Sequence, residues 1–424
     1  MNNLIPELRT RGLIQDIIPG TEEQLSKEIT SGYVGFDPTA ESLHVGNLLP
    51  ITLLMRLQRA GHKPIALVGG ATGMIGDPSG KSTERNLLDE ETLRKNCAGI
   101  EKQLRKFLDF DRGETAAELV NNYDWFKDFS FLDFVRDVGK HITIAYMMSK
   151  DSVKNRMETG MSFTEFTYQL IQGFDYFHLN KTRGVKLQMG GADQWGNIVT
   201  GTEIIRKKGG SEAFAFTCPL ITKSDGTKFG KTESGTIWLD PKRTSPYQFY
   251  QYFLKLADAD ATRMVWIFSF KPIEEIAALI ETREAAPHLR LLQKALAEEL
   301  TILVHSEEDL KFAQQASEIL FSNKAIEALK ALNEAQLLEV MEGVPQVKAS
   351  HESLKEGLDL TTFLADQQIL PSRGEAKKML ASNGISINKE KVNADFKLDE
   401  SSLLNDRYIL IQKGKSSYTL AVFE

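Results

Sequence analysis

The feature that most constrains this chain is a pattern used twice. An apolar strand stops at a polar, glycine-containing turn and runs straight into an amphipathic helix. The first copy is strand Tyr33 to Asp37, turn Pro38 to Asn47 and helix Leu48 to Ala60, closed by Gly61. Next comes Pro64 to Gly70, a continuous apolar run bounded by glycines, as a parallel strand buried on both faces requires. Strand, helix and strand in that order make a βαβ unit, so the sheet is of nucleotide-binding type, with ligands at the carboxyl ends of its strands. The second copy is strand Lys186 to Gly191, turn Ala192 to Asn197 and helix Ile198 to Lys207, and Ala213 to Leu220 supplies the last strand.

Each junction puts free backbone N–H groups and the positive end of a helix dipole at one point, which makes an anion site. In the first, Gly46 lets a ligand come close, and Thr39 and His44 add donors. Asn47 is a donor that cannot be charged. In the second, Gly190 and Gly191 let a ligand lie on the backbone, and Asp193 can accept from ribose hydroxyls. Such turns are also common as plain helix starts, so neither is decisive alone.

Three further stretches carry polar residues in patterns that ask for a use. Ala71 to Asn86 contains Gly80-Lys81-Ser82, but a Walker loop needs glycine where Ile75 stands, so this is no Walker loop. Lys81 and Arg85 there are either ligand-facing or simply solvated charges. In Met161 to Asp175, residues Tyr168, Gln172 and Asp175 recur at i, i+4 and i+7, placing a phenol, an amide and a carboxylate on one helix face among Leu170, Ile171 and Phe174. Lys223 to Thr232 reads K-S-D-G-T-K-F-G-K-T, a flexible cationic loop that includes Lys228, Lys231 and Thr232.

Helices Pro246 to Leu256, Ile273 to Glu281 and Pro287 to Val304 follow, then a charged, alanine-rich connector over Asn323 to Lys348. The last part changes character. Helices Leu360 to Gln368 and Pro371 to Leu380 precede short strands Gly384 to Ile387, Lys389 to Val392, Tyr408 to Lys413 and Tyr418 to Val422. Arg373, Lys377 and Lys378 share a helix and could meet phosphates, or form an ordinary charged surface.

Net charge is −7, so any nucleic acid must be held by local patches rather than by the total. The two cysteines, Cys97 and Cys218, form no metal spacing and no disulfide framework, which fits a reduced, cytoplasmic setting. No apolar run reaches membrane-spanning length, and Met1 to Arg9 has no secretory pattern, so no membrane association is expected.

Taken together, His44-Val45-Gly46-Asn47 resembles the first motif of class I aminoacyl-tRNA synthetases, with Asn47 where the family usually has a second histidine. Lys228-Phe229-Gly230-Lys231-Thr232 resembles their second motif. The wording G-G-A-D-Q-W-G-N at 190–197 resembles the bacterial-type tyrosyl-tRNA synthetases, and the likeness covers essentially the whole chain. The fold it implies is α/β: a Rossmann-like parallel-sheet catalytic domain (1–222, with a dimer-forming insertion), a signature loop and helical anticodon-side domain (223–322), a linker (323–350) and a C-terminal α+β RNA-binding domain (351–424).

The chemistry implied is ATP-dependent attachment of tyrosine to tRNA(Tyr) through tyrosyl-adenylate, with Mg2+ accompanying ATP, no resident metal and a homodimeric enzyme. The resemblance assigns Tyr33 and Asp175 to the tyrosine phenol, and Asp77, Tyr168 and Gln172 to its ammonium. Gly35, Asp37, Gly191, Asp193 and Gln194 would line the tyrosine and nucleotide sites, alongside Gly46. Thr39, His44, Asn47, Lys81, Arg85, Lys228, Lys231 and Thr232 would serve the reacting phosphates, and Arg373, Lys377 and Lys378 the RNA. A pocket that pairs the phenol rejects phenylalanine by leaving its own groups unpaired, a principle for which tyrosyl-tRNA synthetases are themselves the reference example. Tryptophanyl-tRNA synthetases share both motifs but not the Tyr33–Asp175 pair. A dinucleotide-forming nucleotidyltransferase would not need residues 351–424. A non-catalytic RNA-binding relative would have lost His44, Lys228 or Lys231, and all three are present.

Overall fold

The computed structural model describes residues 4–79, 87–157, 160–232, 235–321, 326–341, 344–355, 357–414 and 417–424. The chain forms two compact units, one of residues 1–244 with 251–304, the other of residues 245–250 with 305–424.

The first unit is built on five parallel strands: β1 (Ser31–Phe36), β2 (Lys63–Val68), β3 (Glu118–Asn121), β4 (Leu187–Gly191) and β5 (Phe214–Cys218). Their order is β3-β2-β1-β4-β5. The chain thus winds outward from β1 through β2 and β3, then returns to place β4 on its other side. The crevice at the carboxyl ends of β1 and β4 is the topological switch point where such sheets take ligands. The register Tyr33↔Ile65 and Tyr33↔Gln188 sets Tyr33 in the middle of the sheet. Tyr33, Ile65, Leu67, Leu170, Phe174, Tyr176, Leu179 and Ile204 belong to one buried core, which holds this face of the sheet against the following helices.

The helix after β1 runs Leu48–Arg59, as the spacing predicts, with Leu48, Ile51, Leu54 and Leu57 buried. A helix runs Glu90–Leu104, its start fixed by the Asp89 carboxylate, which accepts from Thr92 N. Two short helices, Phe131–Asp137 and Ile144–Met148, lie between β3 and the long helix that follows. The polar stripe lies on the long helix Phe163–Arg183, started by the Ser162 cap and ended by Gly184 in the left-handed region. Asp258–Phe268 is a further helix, one the sequence reading does not single out.

In the second unit a five-stranded sheet runs Glu390–Lys391, Ile385–Ile387, Tyr408–Lys413, Ser417–Phe423, Gln346–Ala349. Gln346–Ala349 falls in the expected linker, yet it is an edge strand paired parallel with Ser417–Phe423. Helices Leu360–Asp366 and Arg373–Ala381 cover this sheet through Leu364, Leu380, Ile385, Ile409 and Phe423. Among the described residues no helix is long and apolar enough to cross a membrane.

Candidate active site

At the end of β1 the chain turns at Asp37-Pro38-Thr39, with Thr39 N donating to Asp37 O at 2.9 Å. His44 then acts as a helix cap. Its Nδ1 accepts from Gly46 N at 3.0 Å, while its own backbone N–H donates to Asn47 Oδ1 at 3.0 Å. The Asn47 amide oxygen thus closes the capping box that holds the His44 turn. Val45 N donates to Ile237 O and Leu239 N to Leu43 O, both at 2.9 Å, so residues 43–45 lie beside 237–239, with the Trp238 ring 6.1 Å from the His44 ring.

That pairing brings the lysine loop to the first turn. Ile237 N donates to Gly230 O at 3.0 Å. Gly230 has φ +86, and a Cβ there would lie 3.2 Å from Gly46 N. The two motifs therefore touch backbone to backbone, an approach that requires glycine on steric and conformational grounds. Phe229 is buried while Lys228 and Lys231 are exposed, so the loop is pinned at its aromatic residue and presents its cations outward. Lys231–Thr232 pairs with Gly235–Thr236 in a small antiparallel ribbon. Lys81 and Arg85 lie outside the described residues.

On the side of the sheet covered by the long helix, Tyr168, Gln172 and Asp175 share a face as predicted. Asp175 is 1% exposed. Trp125 Nε1 donates to its Oδ1 at 2.9 Å and Asn122 Nδ2 to its Oδ2 at 3.0 Å. Even so, burial pushes its pKa up to about 8. The Tyr33 hydroxyl, buried beside Asp175, has no hydrogen-bond partner among the described residues, and burial raises its pKa well above the usual phenol range. A buried unpaired hydroxyl is costly, and it is satisfied most simply by a ligand.

Tyr168 Oη donates to Asp37 Oδ2 and Thr72 Oγ1 to Asp37 Oδ1, each at 2.7 Å. Gly69 makes room for this, since a Cβ there would collide at 2.3 Å with both the Asp37 carboxylate and Thr72. Asn122 completes the chain, donating to Thr72 Oγ1 at 3.1 Å and accepting from Ala71 N at 2.7 Å. A second cluster joins Gln194 Nε2 to Asp77 Oδ2 at 2.6 Å and Asn197 Nδ2 to Gln172 Oε1 at 3.0 Å. Asp37, Tyr168 and Asp175 thus belong to one hydrogen-bonded network and Asp77, Gln172 and Gln194 to another, and Tyr168, Gln172 and Asp175 share the helix face that relates the two. Gly35 is exposed on β1, and the Asp193 carboxylate lies where a Cβ on Gly191 would come within 2.7 Å of it. Thr72, Asn122, Trp125 and Asn197 are given no site role by the sequence reading. Asn122 and Trp125 fall in a stretch readable only as a polar-aromatic turn, where no periodicity marks a residue as facing inward. In the other unit, Arg373, Lys377 and Lys378 are all exposed on their helix.

No group of three or more His, Cys, Asp or Glu side chains suited to a metal occurs among the described residues. Acidic and amide groups thus lie at the carboxyl ends of β1 and β4, and a cationic loop is laid against a capped helix start. The model for "tRNA synthetases class I (W and Y)" matches residues 26–322, and that for the "Tyrosine–tRNA ligase SYY-like C-terminal domain" matches residues 336–421. The tyrosine–tRNA ligase of Bacteroides thetaiotaomicron is 58% identical over 99% of each chain, and that of Porphyromonas gingivalis is 59% identical over the whole of both. Among solved structures, a C-terminally truncated mitochondrial tyrosyl-tRNA synthetase of Aspergillus nidulans is 32% identical with a TM-score of 0.68, over 76% of this chain and 95% of that one. The chain belongs to the tyrosine–tRNA ligase family.

Proposed function

We propose that the chain attaches tyrosine to its tRNA in two steps. The tyrosine carboxylate attacks the α-phosphorus of ATP, forming the mixed anhydride and expelling pyrophosphate. The tyrosyl group then passes to the terminal adenosine of the tRNA, onto its 2′-hydroxyl. The first step needs no base, because a carboxylate is already the nucleophile. It needs alignment, and donors for the charge that gathers on the phosphates.

The observation that carries this reading is the Tyr33 hydroxyl, buried beside Asp175 with no partner among the described residues, on the strand β1 that leads into the first motif. A substrate phenol supplies the partner that the Tyr33 hydroxyl lacks: it accepts from Tyr33 and donates to a remaining lone pair of Asp175. Asp77, Tyr168 and Gln172 hold the ammonium, and Gln194 and Asp37 support them. Gly35, Gly46, Gly191 and Asp193 take the adenosine and its phosphates. Thr39, His44 and Asn47 line the phosphate path, while Lys81, Arg85, Lys228, Lys231 and Thr232 attend the leaving pyrophosphate. Magnesium accompanies ATP rather than residing in the protein.

Residues 1–222 carry catalysis, 223–322 the signature loop and anticodon-side helices, 323–350 a connector that ends in the edge strand Gln346–Ala349, and 351–424 RNA binding through Arg373, Lys377 and Lys378. The enzyme works as a homodimer in the cytoplasm. Support for the dimer is the run of exposed apolar side chains in the insertion: Phe131, Leu132, Val135, Ile144 and Phe163. The test is ATP–pyrophosphate exchange with each amino acid in turn. Exchange dependent on tyrosine is expected, and exchange with tryptophan but not tyrosine overturns the reading.

A further inference from the structure

The second motif can act only if its lysines are delivered to a fixed place, and the loop that carries them is gripped by its backbone at two points. Asp260, 5% exposed, accepts from Ser224 N at 2.7 Å and from Ser224 Oγ at 3.3 Å. Tyr252, 8% exposed, accepts through its hydroxyl from Gly230 N at 2.9 Å. Between these points Phe229 stacks on Phe268 with ring centroids 5.6 Å apart and meets Tyr252 edge-on at the same separation.

Asp260 and Phe268 belong to one helix, Asp258–Phe268, and the C-terminus of that helix is fastened to the helix that follows the first motif. Arg56 stands on Leu48–Arg59, the helix that begins at Asn47. Its guanidinium donates to Ser269 O at 2.7 Å and to Ile267 O at 3.2 Å. Arg11 donates to Ser269 O at 2.9 Å, to Trp266 O at 3.3 Å and to Lys271 O at 2.8 Å. Two buried cations thus satisfy the carbonyls left open at the helix C-terminus and oppose its dipole. Glu7 pairs with both, at 2.7 and 3.0 Å.

We propose that Asp260 and Tyr252 are positioning residues for the ATP step: Asp260 fixes the loop ahead of the second motif at Ser224, on a helix whose C-terminus is bonded to the helix that follows the first motif, and Tyr252 fixes the middle of the second motif at Gly230. They touch no reacting atom. They set the pivots between which Lys228 moves and beyond which Lys231 projects. Backbone hydrogen bonds at fixed pivots limit how far the ammonium groups wander, and a misplacement of about 1 Å in such a group is worth on the order of 10²-fold in rate. The inference rests on the proposed synthetase activity.

The test uses the full chain with Asp260→Ala, Asp260→Asn and Tyr252→Phe, measuring tyrosine-dependent exchange and thermal midpoints. Asp260→Ala is expected to lower exchange kcat about 10–10²-fold with the KM for tyrosine within about twofold, since the tyrosine site is assigned to other residues. Asp260→Asn keeps an oxygen for Ser224 N and recovers most of the rate. Tyr252→Phe loses the Gly230 acceptor and lowers kcat several-fold. The inference is overturned if Asp260→Ala keeps the parent kcat. It is equally overturned if kcat, tyrosine KM and thermal midpoint fall together with no recovery in Asp260→Asn, which is the pattern of general damage. Should Asp260→Ala not fold, Tyr252→Phe decides: parental kcat overturns the inference. Absence of exchange in the parent chain refutes the synthetase reading itself, a result separate from losses confined to the variants.

Discussion

Asp175→Asn removes one ionisation from a buried hydrogen-bonded network, and its consequence for stability has a definite sign. Burial raises the Asp175 pKa from the usual 3.8 to about 8, against the opposite pull of the Asn122 and Trp125 hydrogen bonds. The folded chain therefore keeps a proton that the unfolded chain has given up. Stability from this group is fully present below about pH 4 and is lost progressively as pH rises to about 8. The slope is at most about 1.4 kcal/mol per pH unit, so between about pH 5 and about pH 7 the parent loses up to ~2.7 kcal/mol relative to a variant that cannot ionise.

At roughly 2 °C per kcal/mol for a unit of this size, the difference in thermal midpoint between variant and parent changes by about 5 °C over that range. The asparagine NH₂ faces one of the two existing N–H donors, which costs roughly 1–3 kcal/mol at every pH. The informative quantity is therefore the change of the difference with pH, not the difference itself. Calorimetry of both chains at several pH values, without tyrosine, measures it. Parallel midpoint curves refute the reasoning.

The other expectations are simpler. Tyr33→Phe deletes a buried hydroxyl that has no partner among the described residues, so thermal stability holds or rises slightly, while tyrosine binding by calorimetry weakens about tenfold and discrimination against phenylalanine falls. Arg156 and Glu165 form a 2.6 Å ion pair with both side chains 3% exposed; Arg156→Ala strands the carboxylate and costs about 3–5 kcal/mol in denaturant unfolding. Leu132 is 76% exposed; Leu132→Asp shifts sedimentation towards monomer if the apolar run in the insertion is the dimer contact. Arg373→Ala weakens tRNA binding and reduces the salt slope of the binding constant by about 1, read from titrations at several salt concentrations.

The parts of this site that the sequence makes legible are those with a local signal. The strand at Tyr33, the capped turn at His44 and the helix from Leu48 each follow from residue order alone, and the stripe Tyr168–Gln172–Asp175 follows from helical spacing. The parts it hides are made by tertiary contact. Asn122, Trp125 and Thr72 sit in turns, where nothing marks which side chain faces inward; only the packing of the long helix beside these turns brings them to Asp175 and Asp37. The helix Asp258–Phe268 is hard to see because Met264-Val265-Trp266-Ile267-Phe268 is apolar all along, as a buried strand would be. Gln346–Ala349 is four residues in a charged connector and becomes a strand only through its partner, Ser417–Phe423.

If the phenol pocket and the two joined motifs form one site in which ATP activates tyrosine, adenylate and pyrophosphate must appear together. Rapid mixing of the enzyme with labelled tyrosine and ATP, without tRNA, tests this by isolating enzyme-bound product and counting pyrophosphate. The expected result is a burst of tyrosyl-adenylate matched by pyrophosphate, slowed by about 10²-fold or more in His44→Ala while tyrosine binding stays intact. Tyrosine bound without pyrophosphate release, or a burst that His44→Ala leaves unchanged, contradicts it.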